Sequence, residues 1–347
     1  MLNGIFSQCS YFPAPPDRRL PRRKILFTSS FTSPFILEDA EILRGHGELT
    51  HLLTRSPADL VHLPAAAARA DLTFSWFAST YASAVVSLAH LSGKPSIVVL
   101  GGADVVIRPD IGYGMANTPW KRRLLIRTLR NATRLLPVDP SLRDAALALA
   151  PECFGAITVL PTGYDETVWL PGQKEPDLVV TVAGCQTEDR MKVKGLDRLL
   201  AVAHGMPDIR FVVIGIDPGI ERLLAPQCPV NVRLLGPVTR EELLPWYQRA
   251  SVYCQPSLSE GLPNALCEAM LCGCIPVGTD VGGMPYAIGD AGIIVQAGNN
   301  EELAAAIRIG LRSGTDRRAR ARARIAREFP LVKRREALAA LLQELCP

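Results

Sequence analysis

Two carboxylates, Glu260 and Glu268, lie in the run Ser257-Leu-Ser-Glu-Gly-Leu-Pro-Asn-Ala-Leu-Cys-Glu-Ala-Met-Leu-Cys-Gly-Cys-Ile-Pro-Val277. The run follows a strand pattern and opens a helix, with Asn264 as the expected N-cap. Glu260 then falls in the turn before the helix and Glu268 about one turn inside it. Both could face one cleft from different depths. Carboxylates so placed suit neutral hydroxyls as hydrogen-bond donors, those of a sugar or a ribose. Amides at the helix start suit phosphate. Two surface glutamates flanking a helix would be the plainer explanation. Glu268 resists it, because a carboxylate between Cys267 and Ala269-Met270 in an apolar helix needs a partner.

Cations form a second cluster, Asp189-Arg190-Met-Lys-Val-Lys194-Gly195, after a strand ending at Gly184. Positive charge between a strand end and a helix start can neutralise a diphosphate leaving group as its charge builds. A solvated basic loop is the alternative. The turn Gly101-Gly102-Ala-Asp104 follows another strand. Gly102 would let backbone approach a substrate closely, and Asp104 could bind a hydroxyl, with a structural turn equally open. Trp76 at a strand end is expected in the core or rim, and stacking on a substrate is the less favoured role.

The elements that would position these residues alternate strand and helix, which points to parallel sheets with crossover helices. Strands are expected at Lys24 to Thr28, Leu72 to Trp76, Ser96 to Leu100, Arg134 to Val138 and Ile157 to Leu160. Helices are expected at Phe35 to Arg44, Thr118 to Asn131 and Ser141 to Leu149. Pro161, Gly163, Pro171, Gly172 and Pro176 then mark a linker between Thr162 and Leu178. The rhythm restarts with strands near Leu178, Ile209, Asn231, Val252 and Ile275, and helices near Gly195, Glu241, Asn264 and Glu301. The expected organisation is a leader at 1–23, a Rossmann-like domain at 24–168, a second at 169–330, and a C-terminal helix at 331–347. Two doubly wound sheets facing each other bind ligands at their strand C-termini. The layout predicts an anionic ligand between the halves.

The second half resembles GT-B-fold retaining glycosyltransferases of the family-4 type. Glu260 through Glu268 is similar to the family's Glu-x7-Glu signature. Gly278-Thr-Asp-Val-Gly-Gly-Met-Pro285, Gly292-Ile-Ile-Val295, Val232-Arg-Leu-Leu-Gly-Pro-Val238 and Phe211-Val-Val-Ile-Gly215 are similar to its other elements, in order. The resemblance implies a nucleotide-sugar donor, with a UDP-sugar expected, on the second domain. Glu268 would bind the ribose hydroxyls. Glu260 would contact the transferred hexose, assisted by amides at Gly261 and Leu262, while Asn264 and Val238 complete the donor site. Pro263 has no amide hydrogen to offer. Lys194 matches the family's phosphate-binding Lys. Cys185 stands where the family has Arg, so Arg190 is the candidate replacement. Gly101, Gly102 and Asp104 would lie on the acceptor side, without the His that the family often carries there. Thr162-Gly163-Tyr-Asp165 resembles its hinge turn. The implied reaction is transfer with retention to a glycan or lipid-linked sugar. A GT-B-fold sugar-nucleotide epimerase and a catalytically silent nucleotide-sugar-binding protein are the alternatives.

Of the 347 residues, 48% are hydrophobic and 21% charged, a folded composition, and the net charge is +4. Basic residues concentrate in Trp120 to Arg130 and Asp316 to Arg327. Solvated helix faces explain these most simply, and a dock for anionic lipid headgroups or an acidic acceptor is the sharper reading. No nucleic-acid motif accompanies them. The sequence shows no Asp-x-Asp or His-rich metal pattern, no apolar run long enough to span a bilayer and no secretory signal. A cytoplasmic enzyme is expected, needing no metal or other cofactor and able to sit peripherally at the inner membrane face. Nine cysteines without paired spacing are expected as reduced, mostly buried thiols.

Overall fold

The computed structural model describes residues 23–347. The leader expected at 1–23 lies outside them, except for Arg23, which begins the first strand.

The first domain runs β1 (Arg23–Ser29), α1 (Pro34–Arg44), β2 (Gly47–Leu53), α2 (Leu63–Arg69) and β3 (Leu72–Trp76). It continues with α3 (Thr80–Leu91), β4 (Ser96–Leu100), α4 (Pro119–Asn131), β5 (Arg134–Pro137) and α5 (Pro140–Leu149). Its five strands are all parallel, in the order β2-β1-β3-β4-β5. Strands β3 and β4 are buried at every position, Thr73, Ser75 and Ser96 included. Edge strand β2 escapes sequence detection, since Glu48 and Thr50 alternate with half-buried residues. Ile157 to Leu160, expected as a strand, makes only a single bridge to β5, through Ile157 and Leu135.

The second domain runs β6 (Glu175–Cys185), α6 (Glu188–Val193), α7 (Leu196–His204), β7 (Arg210–Ile216), α8 (Pro218–Leu224) and β8 (Val232–Leu235). Then come α9 (Arg240–Arg249), β9 (Ala250–Gln255), α10 (Asn264–Leu271) and β10 (Ile275–Thr279). The last elements are α11 (Met284–Ile288), β11 (Ile293–Val295), α12 (Asn300–Leu311), α13 (Thr315–Glu328) and α14 (Leu331–Leu345). The strand order β11-β10-β9-β6-β7-β8 reverses at β6 and β9, so their C-terminal ends form the crevice of the sheet.

Helix α14 returns to the first domain. Arg334 donates from Nε and Nη2 to the two oxygens of Asp39, both at 2.6 Å, and from Nη1 to the carbonyls of Leu160 and Pro161. Trp76 Nε1 donates to the same Asp39 at 2.8 Å. Trp76 is therefore a core residue, only 2% exposed, and is not available to stack on a substrate.

The basic run of α13 is a solvated face only in part, with Arg320 and Arg327 exposed. Arg318, Arg322 and Arg324 turn inward and donate to the carbonyls of Ser251, Trp169, Leu271, Tyr286 and Ala287. These guanidiniums satisfy chain ends that α13 covers. The eight described cysteines are unpaired and six of them are buried. No described helix is long and apolar enough to cross a membrane.

Candidate functional site

Glu260 lies between β9 and α10. Its Oε1 accepts from Lys194 Nζ at 2.5 Å, Gln255 Nε2 at 2.7 Å and Ser257 Oγ at 2.7 Å. All three donors meet one oxygen, and Oε2 has no protein partner among the described residues. The ion pair is mostly enclosed, with side-chain exposures of 11% for Lys194 and 12% for Glu260. Burial pushes the Glu260 carboxyl up, but Lys194, Ser257 and Arg190 together hold it below its ordinary value.

Local backbone puts Lys194 there. Gly195 is left-handed at φ +65, and a Cβ on it would lie 2.1 Å from the carbonyl oxygen of Pro256. Only glycine allows that approach, which sets the end of α6 against the loop carrying Glu260. The Leu258 amide fastens it further by donating to the Val193 carbonyl at 2.8 Å. Arg190 and Lys194, four residues apart, share one side of that helical segment. The stretch expected as a loop is thus the short helix α6, N-capped by Thr187. Arg190 Nε leans to the Gly184 carbonyl at the end of β6. Cys185 beside it is buried, with its thiol turned to the Thr187 carbonyl.

Glu268 is also mostly enclosed, and its partner is Arg240 at the start of α9, Nη2 to Oε1 at 3.4 Å. Burial pushes its carboxyl up to about 7, against the pull of Arg240, while Glu38 from α1 pushes the same way as burial. The Arg240 guanidinium lies 4.8 Å from the centre of the buried Trp169 ring. Tyr253 is within the influence of both Glu260 and Glu268, so the two carboxylates flank one region.

Asn264 corrects an expectation. The N-cap of α10 is Pro263, and Asn264 is the first helical residue. Its Oδ1 accepts from the hydroxyls of Thr162 and Tyr164 at 2.9 and 2.8 Å, which ties α10 to the segment joining the two domains. The Leu262 side chain is buried in the core, so only its backbone can serve a ligand. The amides of Gly261 and Leu262 have no protein acceptor among the described residues. Val238 sits just ahead of Thr239, the N-cap of α9.

Across the cleft, Gly101 and Gly102 meet this loop directly. A Cβ on Gly261 would stand 2.3 Å from the Gly101 carbonyl oxygen, and one on Gly102 would stand 3.4 Å from Gly261 N. Asp104 does not face the cleft. It is buried, and it accepts from the amides of Ala78, Gly101 and Gly102 at 3.0, 3.3 and 2.8 Å. Its place is structural: it folds the glycine turn that touches the loop carrying Glu260.

Sequence patterns gave no hint of Tyr113, Arg108 or Gln255. The Tyr113 phenol is pushed up to about 12, chiefly by burial and secondarily by Glu260, with Arg190 opposing. Arg108 bridges the domains, donating to Asp110 and to the Leu258 carbonyl at 2.8 Å. These contacts arise where the segment after β4 folds over α6, and no local motif announces them.

Residues 178–312 match the family model described as glycosyl transferases group 1. The chain is 27% identical to the alpha-maltose-1-phosphate synthase of Mycolicibacterium smegmatis, over 61% of this chain and 60% of that protein. It is 30% identical to the D-inositol 3-phosphate glycosyltransferase of Nocardiopsis dassonvillei, over 44% of this chain and 41% of that protein. The chain thus spans less than two thirds of the length of these curated relatives. Among solved structures it resembles sucrose-phosphate synthase from Thermosynechococcus elongatus, with TM-score 0.77, 16% identity, and coverage of 93% of this chain and 99% of that one. It also resembles Anabaena HepE in complex with UDP and glucose, with TM-score 0.75, 15% identity, and coverage of 93% and 100%. The fold is GT-B, and the stretch that matches the group 1 glycosyl transferase model lies within its second domain.

Proposed function

We propose that this protein is a retaining glycosyltransferase that moves a hexose from a nucleoside-diphosphate donor, a UDP-sugar by expectation, to a glycan or lipid-linked sugar. Glu260 carries the reading. One oxygen is fixed by Lys194, Gln255 and Ser257, and the other is left for a ligand beside the unpaired amides of Gly261 and Leu262. Such a carboxylate positions sugar hydroxyls, while the neighbouring cations suit a diphosphate.

In this account the base lies by Val238, the ribose hydroxyls donate to Glu268, and hydroxyls of the hexose donate to Glu260 Oε2. The diphosphate sits between Lys194, Arg190 and the start of α10. As the bond from C1 to the phosphate oxygen lengthens, negative charge grows on that oxygen. Lys194 and Arg190 bind it more strongly in the transition state than in the ground state. The acceptor hydroxyl attacks C1 from the face the nucleotide leaves, and its proton passes to the departing phosphate oxygen, so configuration is retained. Closure of Gly101 on Gly261 keeps water from the donor. No metal ion has a role here, because the cations and amides meet the charge.

Peripheral contact with an anionic membrane is part of the proposal. On α4, Trp120, Arg122, Arg123 and Arg127 are exposed, and these arginines have no acidic partner among the described residues. Stronger sedimentation with anionic than with neutral vesicles would support that surface, and equal sedimentation would remove it.

The test is release of nucleoside diphosphate from UDP-, GDP- and ADP-glucose in EDTA, with the product anomer read by NMR. Release from one donor, undiminished by EDTA, with a retained product is expected. Epimer without transfer would favour the epimerase, and no turnover of any donor would count for the silent binding protein.

A further inference from the structure

Among the described residues one non-glycine, Phe77, has a left-handed backbone, at φ +66. It directly follows β3, where the chain leaves the sheet on the cleft side. Glycine would make that turn without strain, and bulky residues held in this region cluster at functional sites. The glycine stands opposite instead. A Cβ on Gly101 would lie 2.2 Å from Phe77 Cε1, and the Gly101 carbonyl abuts Gly261 of the donor-side loop. Position 77 keeps its ring at the cost of strain, and position 101 gives up its side chain to make room.

On its other side Phe77 packs on Phe31, with centroids 5.3 Å apart and planes tilted by 30°. Phe31 follows β1 and is 45% exposed, beside the exposed Thr32. The cleft segments 30–33, 77–80 and 101–107 contain no Lys or Arg. The next cation, Arg108, is committed to Asp110 and the Leu258 carbonyl. An aromatic face edged by hydroxyls, in segments that hold no cation of their own, suits an uncharged ring that has one apolar face and a polar rim.

We propose that Phe31, backed by Phe77, is the platform of an acceptor subsite for an uncharged saccharide, which lays the C–H face of a pyranose ring on Phe31. The proposal rests on the glycosyltransferase reading of the cleft and adds the chemical class of its acceptor.

The test is a saturation-transfer NMR titration of the full chain with methyl α-D-glucopyranoside and, in parallel, D-glucose 6-phosphate, each with and without saturating UDP. The neutral glycoside is expected to bind, and the phosphosugar to bind no better. Phe31→Ser should weaken the glycoside about fivefold while leaving UDP affinity unchanged. Phe31→Trp should keep glycoside binding. Equal glycoside affinity in wild type and Phe31→Ser would overturn the platform. So would no glycoside binding in either condition, or a preference for the phosphosugar. Failure of wild type to bind UDP would sink the donor reading instead, and the titrations without UDP still judge the platform.

Discussion

Replacing Lys194 with Met keeps most of the apolar stem in place and removes the charge that faces Glu260. The carboxylate is 12% exposed and would retain only Gln255 and Ser257 as donors. An unpaired enclosed carboxylate of this kind destabilises by about 3–5 kcal/mol. It has an escape, which is to take up a proton. From its ordinary value of 4.5, holding the group neutral at pH 7 costs about 3 kcal/mol, at about 1.4 kcal/mol per pH unit. The variant's own penalty at pH 7 is therefore capped at about 3 kcal/mol, and the lost stabilisation of the wild-type pair adds to it. The sign follows from the two states. In the wild type the folded carboxyl lies below its unfolded value, so its stabilisation is present above about pH 4.5 and fades as pH falls through the lowered value. In the variant the carboxyl is raised, so stability is lost as pH rises above about 4.5. Urea unfolding of both proteins should show a gap that widens steadily from about pH 5 to pH 7. Adding Glu260→Gln to Lys194→Met should recover most of the loss. A gap below about 1 kcal/mol at pH 7, or one that does not vary with pH, would refute a buried, coupled pair.

Gly261→Ala drives a Cβ to within 2.3 Å of the Gly101 carbonyl, with backbone on both sides, so the loops must part. Donor turnover should fall about 100-fold, and unchanged turnover would show that the closed contact is not used. With Glu268 raised to about 7, a ribose that donates to its carboxylate form should bind better as pH rises. UDP-glucose affinity measured by calorimetry should strengthen about tenfold per unit up to pH 7 and then level off, and Glu268→Gln should flatten the profile. Arg334→Met leaves Asp39 buried without its cation and should cost about 3–5 kcal/mol in denaturant unfolding. A loss under about 1 kcal/mol would deny that this pair clasps α14 to the first domain.

The sequence displayed the parts of the fold whose signal is local. Strands β3 and β4 are buried throughout and are legible in the sequence at their observed bounds. Helix α5 begins at the Asp139 cap, whose side chain accepts from Ser141 and Leu142. Half-buried β2 had no such pattern, and α6 was too short to show a period. Chemistry was visible in residue types and hidden in their pairing. Glu268 called for a partner, but Arg240 lies 28 positions away in sequence. Asp104 had the type of a substrate ligand, and only the three amides around it show that it folds a turn. Phe77 carries no motif at all, and its left-handed backbone and its packing on Gly101 are visible only in three dimensions.

The central claim is that Lys194, Arg190 and the start of α10 receive a nucleoside diphosphate. Calorimetric titration of UDP against uridine, which shares base and ribose but lacks the diphosphate, isolates that contribution. The account predicts that UDP binds about tenfold or more tightly than uridine, and that Lys194→Met removes most of the difference. UDP binding no better than uridine, or an undiminished preference in Lys194→Met, would contradict it.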